Sequence, residues 1–188
     1  MSAERPSGYA KLRTSWVQQF LRYPLGALAS HWLFQSLLYM DMTERRFKLG
    51  LDIALALLGT VILVAWLPLP AAAMLALVVA HTLNFLLNGH LWGVLKHYGM
   101  VHNTQAAFQE YVDRFWMRVE REPSIEHGFI CGSISREQWS PSSDLDVRLI
   151  RRPGFLNGLR ACWFVLLERS RAFRARFPID IYVLDRAS

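Results

Sequence analysis

Two adjacent apolar runs constrain this chain more than any other feature. Residues 50–67 read GLDIALALLGTVILVAWL, with Asp52 as the one ionisable side chain. Pro68-Leu69-Pro70 breaks that run, and residues 71–95 (AAAMLALVVAHTLNFLLNGHLWGVL) then contain no Asp, Glu, Lys or Arg. A membrane-spanning helix needs about 20 mostly apolar residues. The pattern therefore predicts a two-helix transmembrane hairpin over 50–97; a pair of buried helices in a soluble bundle is the competing reading. Hydrophobic residues make up 53% of the chain and charged residues 19%, against about 25% charged in ordinary soluble domains. That balance argues against disorder and a coiled coil. Two cysteines and no Cys-x-x-Cys pair exclude a disulfide scaffold and a zinc ribbon.

Charge at the flanks orients the hairpin. Arg45, Arg46 and Lys48 precede it, Lys96 and His97 follow it, and the Pro-Leu-Pro turn is uncharged. The positive-inside rule places both termini in the cytoplasm, making this an integral protein of the inner (cytoplasmic) membrane. The first residues, MSAERPSGYAKLRTSW, lack an apolar signal-peptide core. Residues 23–40 are uncharged but carry Pro24, Ser30, His31, Gln35 and Ser36 among Trp32, Phe34 and Tyr39. This composition suits a helix at headgroup level better than a third span, which would carry Lys11, Arg13 and Arg22 outside. Residues 1–49 thus read as an N-terminal amphipathic, interfacial region.

The second run has unusual polar content. His81, Asn84 and Asn88 share one helical face, with His90 beyond them. Such groups face protein or a water-filled cavity, either as glue between helices of an oligomer or as contacts to a bound acceptor. Small residues (Ala54, Ala56, Gly59, Ala65) are suited to close packing between spans, and a homo-oligomer is expected.

From residue 98 the composition becomes that of a soluble domain, expected to run over 98–188 in the cytoplasm. A capped helix is predicted to about Glu120, with Phe108, Tyr111, Val112, Phe115 and Val119 at helical spacing. Strands are predicted at 127–131, 144–150 and 178–184, with a helix over 157–177 between the last two. The fold class is α+β: a small mixed sheet with flanking helices behind a helical hairpin. Asp144 and Asp146 are two apart on one strand and project from the same face; Asp180 lies between Ile179 and Ile181 on another. An isolated aspartate in an apolar strand is costly. Pairing of the two strands would gather three mutually repelling carboxylates, which a divalent cation such as Mg²⁺ would relieve. Upstream, Gly132-Ser133 forms a turn before a short helix, whose N–H groups and hydroxyl can hold phosphate; Arg136 follows to neutralise its charge.

Gly132-Ser133, the stretch 134–143, Asp144-Leu145-Asp146 and a later strand Asp180 together resemble the DNA polymerase beta-type nucleotidyltransferase superfamily, most closely its small bacterial and archaeal members. The resemblance spans roughly Phe108 to Asp185 and none of the apolar part, as expected of a minimal nucleotidyltransferase domain fused to a transmembrane hairpin. It implies that Asp144 and Asp146 bind Mg²⁺ (or Mn²⁺), that Asp180 binds metal or serves as base, and that Gly132, Ser133, Arg136 and Ser143 contact a nucleoside triphosphate such as ATP. Most members carry a further domain that grips the base or acceptor; here base selection would be weak, or fall to the N-terminal segment, the 114–121 helix or a neighbouring subunit.

The resulting expectation is a Mg²⁺-dependent, membrane-anchored transferase that moves a nucleoside monophosphate to a membrane-associated acceptor: a lipid, a lipid-linked sugar or a phosphate. Nucleotidylation (AMPylation) of a partner protein and a non-catalytic scaffold or nucleotide sensor are the other readings. Net charge is +6, but no extended basic face favours nucleic acid. Cys131 and Cys162 read as reduced core residues. The arginines at 169, 171, 174 and 176 read as a solvated helix end or a phosphate contact. Arg151 and Arg152 could touch nucleotide or membrane. Trp139 could stack on a base, insert at the bilayer surface or pack in its loop.

Overall fold

A computed structural model describes residues 23–185 apart from 36, 38, 39, 89, 97, 98, 137 and 142. The expectations placed on residues 1–22, Ser36, Tyr39 and His97 lie outside the described residues. Among those described, six helices and one three-stranded sheet follow in order: α1 (Pro24–Phe34), α2 (Met42–Leu63), α3 (Leu69–Leu87), α4 (His90–Leu95), α5 (Gln105–Glu120), β1 (Ile125–Cys131), a 3₁₀ turn (Ile134–Arg136), β2 (Leu145–Arg151), α6 (Phe155–Arg174) and β3 (Ile179–Leu184). The α+β class with a small mixed sheet is as the sequence predicts.

Helix α3 is the one described helix long and apolar enough to cross a membrane by length and composition. The run expected to span at 50–67 differs from that expectation. Its helix begins earlier, at Met42, and ends at Leu63. Glu44, Lys48 and Asp52, one turn apart, lie on its buried face. A helical face can bury charge only against partners, and α3, α6 and β3 supply them. Two spans therefore do not emerge from length and composition.

Helices α2 and α3 pack along each other. Buried Ala72, Ala76 and Ala80 recur every fourth residue on α3. A β-carbon at Gly59 of α2 would stand 3.1 Å from that of Ala76. Small residues thus serve close approach within this chain. The polar face of α3 does the same. Asn84 Nδ2 donates to Asp52 Oδ1 at 2.8 Å, and His81 Nδ1 lies 3.1 Å from Asp52 Oδ2. Trp32 of α1 donates to Thr82 at 3.1 Å, and His81 Nε2 is 2.8 Å from the Trp32 carbonyl. These polar groups join helices of one chain, with α1 laid against α3, and not the subunits of an oligomer as the sequence suggests.

In the sheet β1 runs antiparallel to β2, and β2 parallel to β3. Alternation puts Leu145, Val147 and Leu149 of β2 and Ile179, Ile181 and Val183 of β3 on one face, buried beneath α5 and α6. Thr104 caps α5, its hydroxyl accepting from the Ala107 N–H at 3.2 Å. Tyr111 of α5 stacks on Phe177 just after α6, ring centroids 3.9 Å apart.

The outer edge of β3 has no neighbouring strand among the described residues; side chains cover it instead. Arg169 donates to the Ile181 carbonyl, and Glu44 Oε2 accepts from the Val183 N–H at 2.8 Å. Glu44 and Arg169 pair with each other at 2.6 Å, both buried. Arg169 also donates to Asn88 Oδ1 at 2.8 Å. One buried ion pair thus closes the sheet edge and joins α2, α3, α6 and β3. Unpaired strand edges invite wrong partners; this one is occupied.

Candidate active site

Backbone register assembles the site. Cys131 of β1, Asp146 of β2 and Asp180 of β3 lie in one row across the sheet. All three occupy the face opposite the hydrophobic core. Along that same face the next row holds Phe129, Arg148 and Tyr182. The two carboxylates predicted to meet across neighbouring strands are therefore side by side. Asp144 stands just before β2, at the same end of the sheet.

Gly132 follows β1 with φ +75°, a left-handed conformation that favours glycine. A β-carbon there would overlap the Asp146 carboxylate. Glycine is thus required twice, by its backbone angle and by the carboxylate against it. Ser133 accepts at its carbonyl from the N–H groups of Arg136 (3.1 Å) and Gln138 (3.0 Å), which closes the turn. The expected helix is a single 3₁₀ turn, too short to add a helix dipole. Any phosphate hold rests on the turn's own N–H groups and the Ser133 hydroxyl. Arg136 is exposed, its Nε 3.4 Å from Gln138 Oε1. Ser143 is buried, and its hydroxyl accepts from the Ser140 N–H at 2.9 Å. It shapes the loop before β2, and its expected nucleotide contact would have to displace that bond.

The site is crowded with negative charge. Burial, then the nearby Asp144 and Asp180, pushes Asp146 up to about 6. Burial also raises Asp180, against the opposing pull of Arg169, Arg148 and a hydrogen bond from Tyr182. Arg148 lies over the Tyr182 ring, 4.3 Å from its centroid.

Sequence reasoning missed two basic residues. Lys96 reads as a flanking charge of the hairpin, yet it is buried and its ammonium pairs with the Asp144 carboxylate. Arg148 alternates with Asp146 on β2, and that spacing was the available signal for its place beside the carboxylates. For Lys96 there was no local signal, because its partner lies far along the chain.

Other expected contacts resolve differently. Arg169 is buried in the edge clamp. Arg171 pairs with Glu168. Arg151 pairs with Asp185 at 2.7 Å and donates to Thr43 at 3.1 Å. Trp139 packs against the core. Cys162 is the buried core residue expected, its thiol pushed up to about 12 by burial and unreactive, whereas Cys131 lies outside the core, in the row of Asp146.

Among the described residues, no three His, Cys, Asp or Glu side chains stand close enough together to hold a metal ion as they are arranged. The donor chemistry nevertheless suits a hard divalent cation: three carboxylates at one end of the sheet, with Asp146 held up by burial and then by its carboxylate neighbours. Lys96 is the cation now in contact with Asp144.

No protein-family model, curated protein or solved structure matches the chain.

Proposed function

We propose that this protein is a membrane-anchored nucleotidyltransferase. It transfers a nucleoside monophosphate from a nucleoside triphosphate to an acceptor at the membrane and releases pyrophosphate. The observation that carries this reading is Asp146 in register with Asp180, with Gly132 closed against Asp146. A carboxylate pair under a glycine turn is a means of holding a triphosphate beside a base.

The Gly132-Ser133 turn holds the β- and γ-phosphates through backbone N–H groups and the Ser133 hydroxyl. Arg136, exposed beside it, neutralises phosphate charge. Asp144, Asp146 and Asp180 would hold Mg²⁺, with Asp144 exchanging its ammonium partner for the cation. When bound, such a cation offsets charge on the phosphates and positions them for in-line displacement. Asp180, raised by burial, accepts the proton of the acceptor hydroxyl. The acceptor oxygen then bonds to the α-phosphorus as the α–β bridging bond breaks, and pyrophosphate leaves with that bond's electron pair. Arg148, one row along the same face, offers a fixed positive charge to an anionic acceptor.

Anchoring rests on the apolar surface of α2 and α3. Leu57, Val61, Trp66 and Met74 are all exposed, Trp66 by 74%. Lipid is the solvent such a surface suits. In this reading α3 crosses the bilayer and the apolar half of α2 pairs with it, leaving the sheet on the cytoplasmic side. An enzyme held at the membrane gains when its acceptor is held there too, so a lipid or lipid-linked glycan is the proposed acceptor class.

Protein in native-like lipid, given Mg²⁺ and each of four α-labelled nucleoside triphosphates, tests this. Label in the organic extract that is lost in Asp144→Asn/Asp146→Asn supports it. Label in the protein pellet would replace the lipid acceptor with a protein one. Label in neither fraction, from folded protein, overturns the transferase reading for membrane acceptors.

A further inference from the structure

The geometry points to α6 as an in-plane membrane helix, whose apolar stripe of Leu156, Leu159, Trp163 and Leu167 seats the sheet on an anionic bilayer surface. This rests on the membrane reading above. Helix α6 has three faces. One, with Ala161, Val165 and Ala172, enters the core. A second packs across the lower hairpin. A β-carbon at Gly158 would meet Thr43 of α2 at 2.9 Å, Arg169 reaches Asn88, and the Ser170 hydroxyl lies 3.4 Å from the Leu87 carbonyl. The third face is exposed, and it is apolar where a solvated helix would be polar. Leu156 is 76% exposed and Trp163 51%. Phe155, at the helix start, is exposed as well.

Position selects the occupant. The stripe borders the hairpin-facing side of α6, and Trp163 meets Phe47 of α2 edge-to-face at 6.2 Å. The apolar surface of α2 therefore continues onto α6. Helix α6 crosses the hairpin at the end that bears Thr43, Leu87 and Asn88, and a helix lying across the end of a span sits at headgroup level. Tryptophan is favoured at that level. On the other border stand Arg160, pairing with Glu122, and Arg171, pairing with Glu168. Exposed Arg152 and Arg174 flank the two ends of the helix. Apolar stripe, tryptophan and arginine border together match a lipid surface with negative headgroups. The arrangement fixes the height of the sheet above the bilayer, with α6 between the lipid and the core face.

Nitroxide labels on full-length protein in phosphatidylcholine–phosphatidylglycerol vesicles test this. Leu159→Cys and Leu167→Cys report on the stripe, Val78→Cys on α3 and Met117→Cys on the exposed side of α5, all in Cys131→Ser/Cys162→Ala. Expected is oxygen collision exceeding that of a water-soluble nickel complex several-fold at 78, 159 and 167, with the reverse at 117. Lipid exposure at 78 but water exposure at 159 and 167 overturns the α6 proposal and leaves the anchor standing. Water exposure at 78 overturns the anchor, and the α6 proposal with it. Exclusion of both reagents at 159 with spin–spin broadening would assign the stripe to a second copy of the chain, overturning the lipid assignment. Should the cysteine background misfold, quenching by brominated lipid gives the same answer: it must be weaker in Trp163→Phe than in the natural protein, and equal quenching overturns the proposal.

Discussion

Lys96, just past the hairpin, places its ammonium on the carboxylate of Asp144, which stands just before β2 and two residues from Asp146. The contact joins the apolar part of the chain directly to the candidate active site. It also sets a competition, because a cation bound by Asp144 must replace the ammonium. Removing the ammonium removes both a competitor and a repelling charge. Lys96→Met is therefore expected to bind Mn²⁺ about tenfold more tightly, equivalent to about 1.4 kcal/mol. Mn²⁺ titration followed by electron paramagnetic resonance would read this. An unchanged or weaker affinity would mean that Lys96 organises Asp144 for the metal.

Gly132→Ala is expected to damage the site far more than the fold. Its φ of +75° disfavours any β-carbon, and the added carbon would overlap the Asp146 carboxylate. The backbone strain costs about 1 kcal/mol. Relieving the overlap turns Asp146 out of its place beside Asp180. Divalent binding should be lost while the thermal midpoint falls by only a few degrees, measured side by side on one preparation. Normal metal affinity would show that the turn can move away at no cost to Asp146.

Much of this arrangement was legible in the residue order. Period-two alternation marked β2 and β3, so Asp146 and Asp180 could be placed on one face before their register was known. The helical spacing of Phe108, Tyr111, Val112, Phe115 and Val119 likewise marked the core side of α5. Long-range pairing of charge was not legible. Lys48 looks like a hairpin flank and Glu44 carries no local signal, yet both are buried, and Glu44 reaches a sheet edge formed near the end of the chain. The same holds for Lys96 and for Arg169, which local pattern placed in a solvated helix end. Local periodicity reports which face of an element is apolar; it carries no information on which distant partner neutralises a buried charge.

The Glu44–Arg169 clamp should be the costliest polar interaction to break. Each member also satisfies a backbone group of β3, so removing one leaves a buried charge and an unmet edge group. Glu44→Leu or Arg169→Met should destabilise by about 3–5 kcal/mol. Replacing both by Leu and Met should recover only part of that loss. The Ile181 carbonyl and Val183 N–H would still lack their partners. Thermal unfolding of the two single variants and the double in one detergent gives the coupling. A double variant as stable as the natural protein would show that the pair serves nothing beyond its own charges.

Asp146 should make the metal-free protein less stable as pH rises. Its folded value is about 6 against an ordinary 3.8, so between those values the folded state binds more protons than the unfolded one. The stability this group contributes is fully present below about pH 4 and is lost as pH rises through about 6. The full shift corresponds to about 3 kcal/mol. Partial exposure reduces that to roughly 1–2 kcal/mol. Asp146→Asn should therefore be more stable than the natural protein at pH 7.5 in a chelator, with the gap closing toward pH 4. Added Mg²⁺ should stabilise the natural protein and leave the variant unmoved. The check is a set of melting curves at several pH values, with and without Mg²⁺. A variant less stable than the natural protein at pH 7.5 in chelator would mean that the Asp146 carboxylate is stabilised where it stands, and that its neighbours do not repel it.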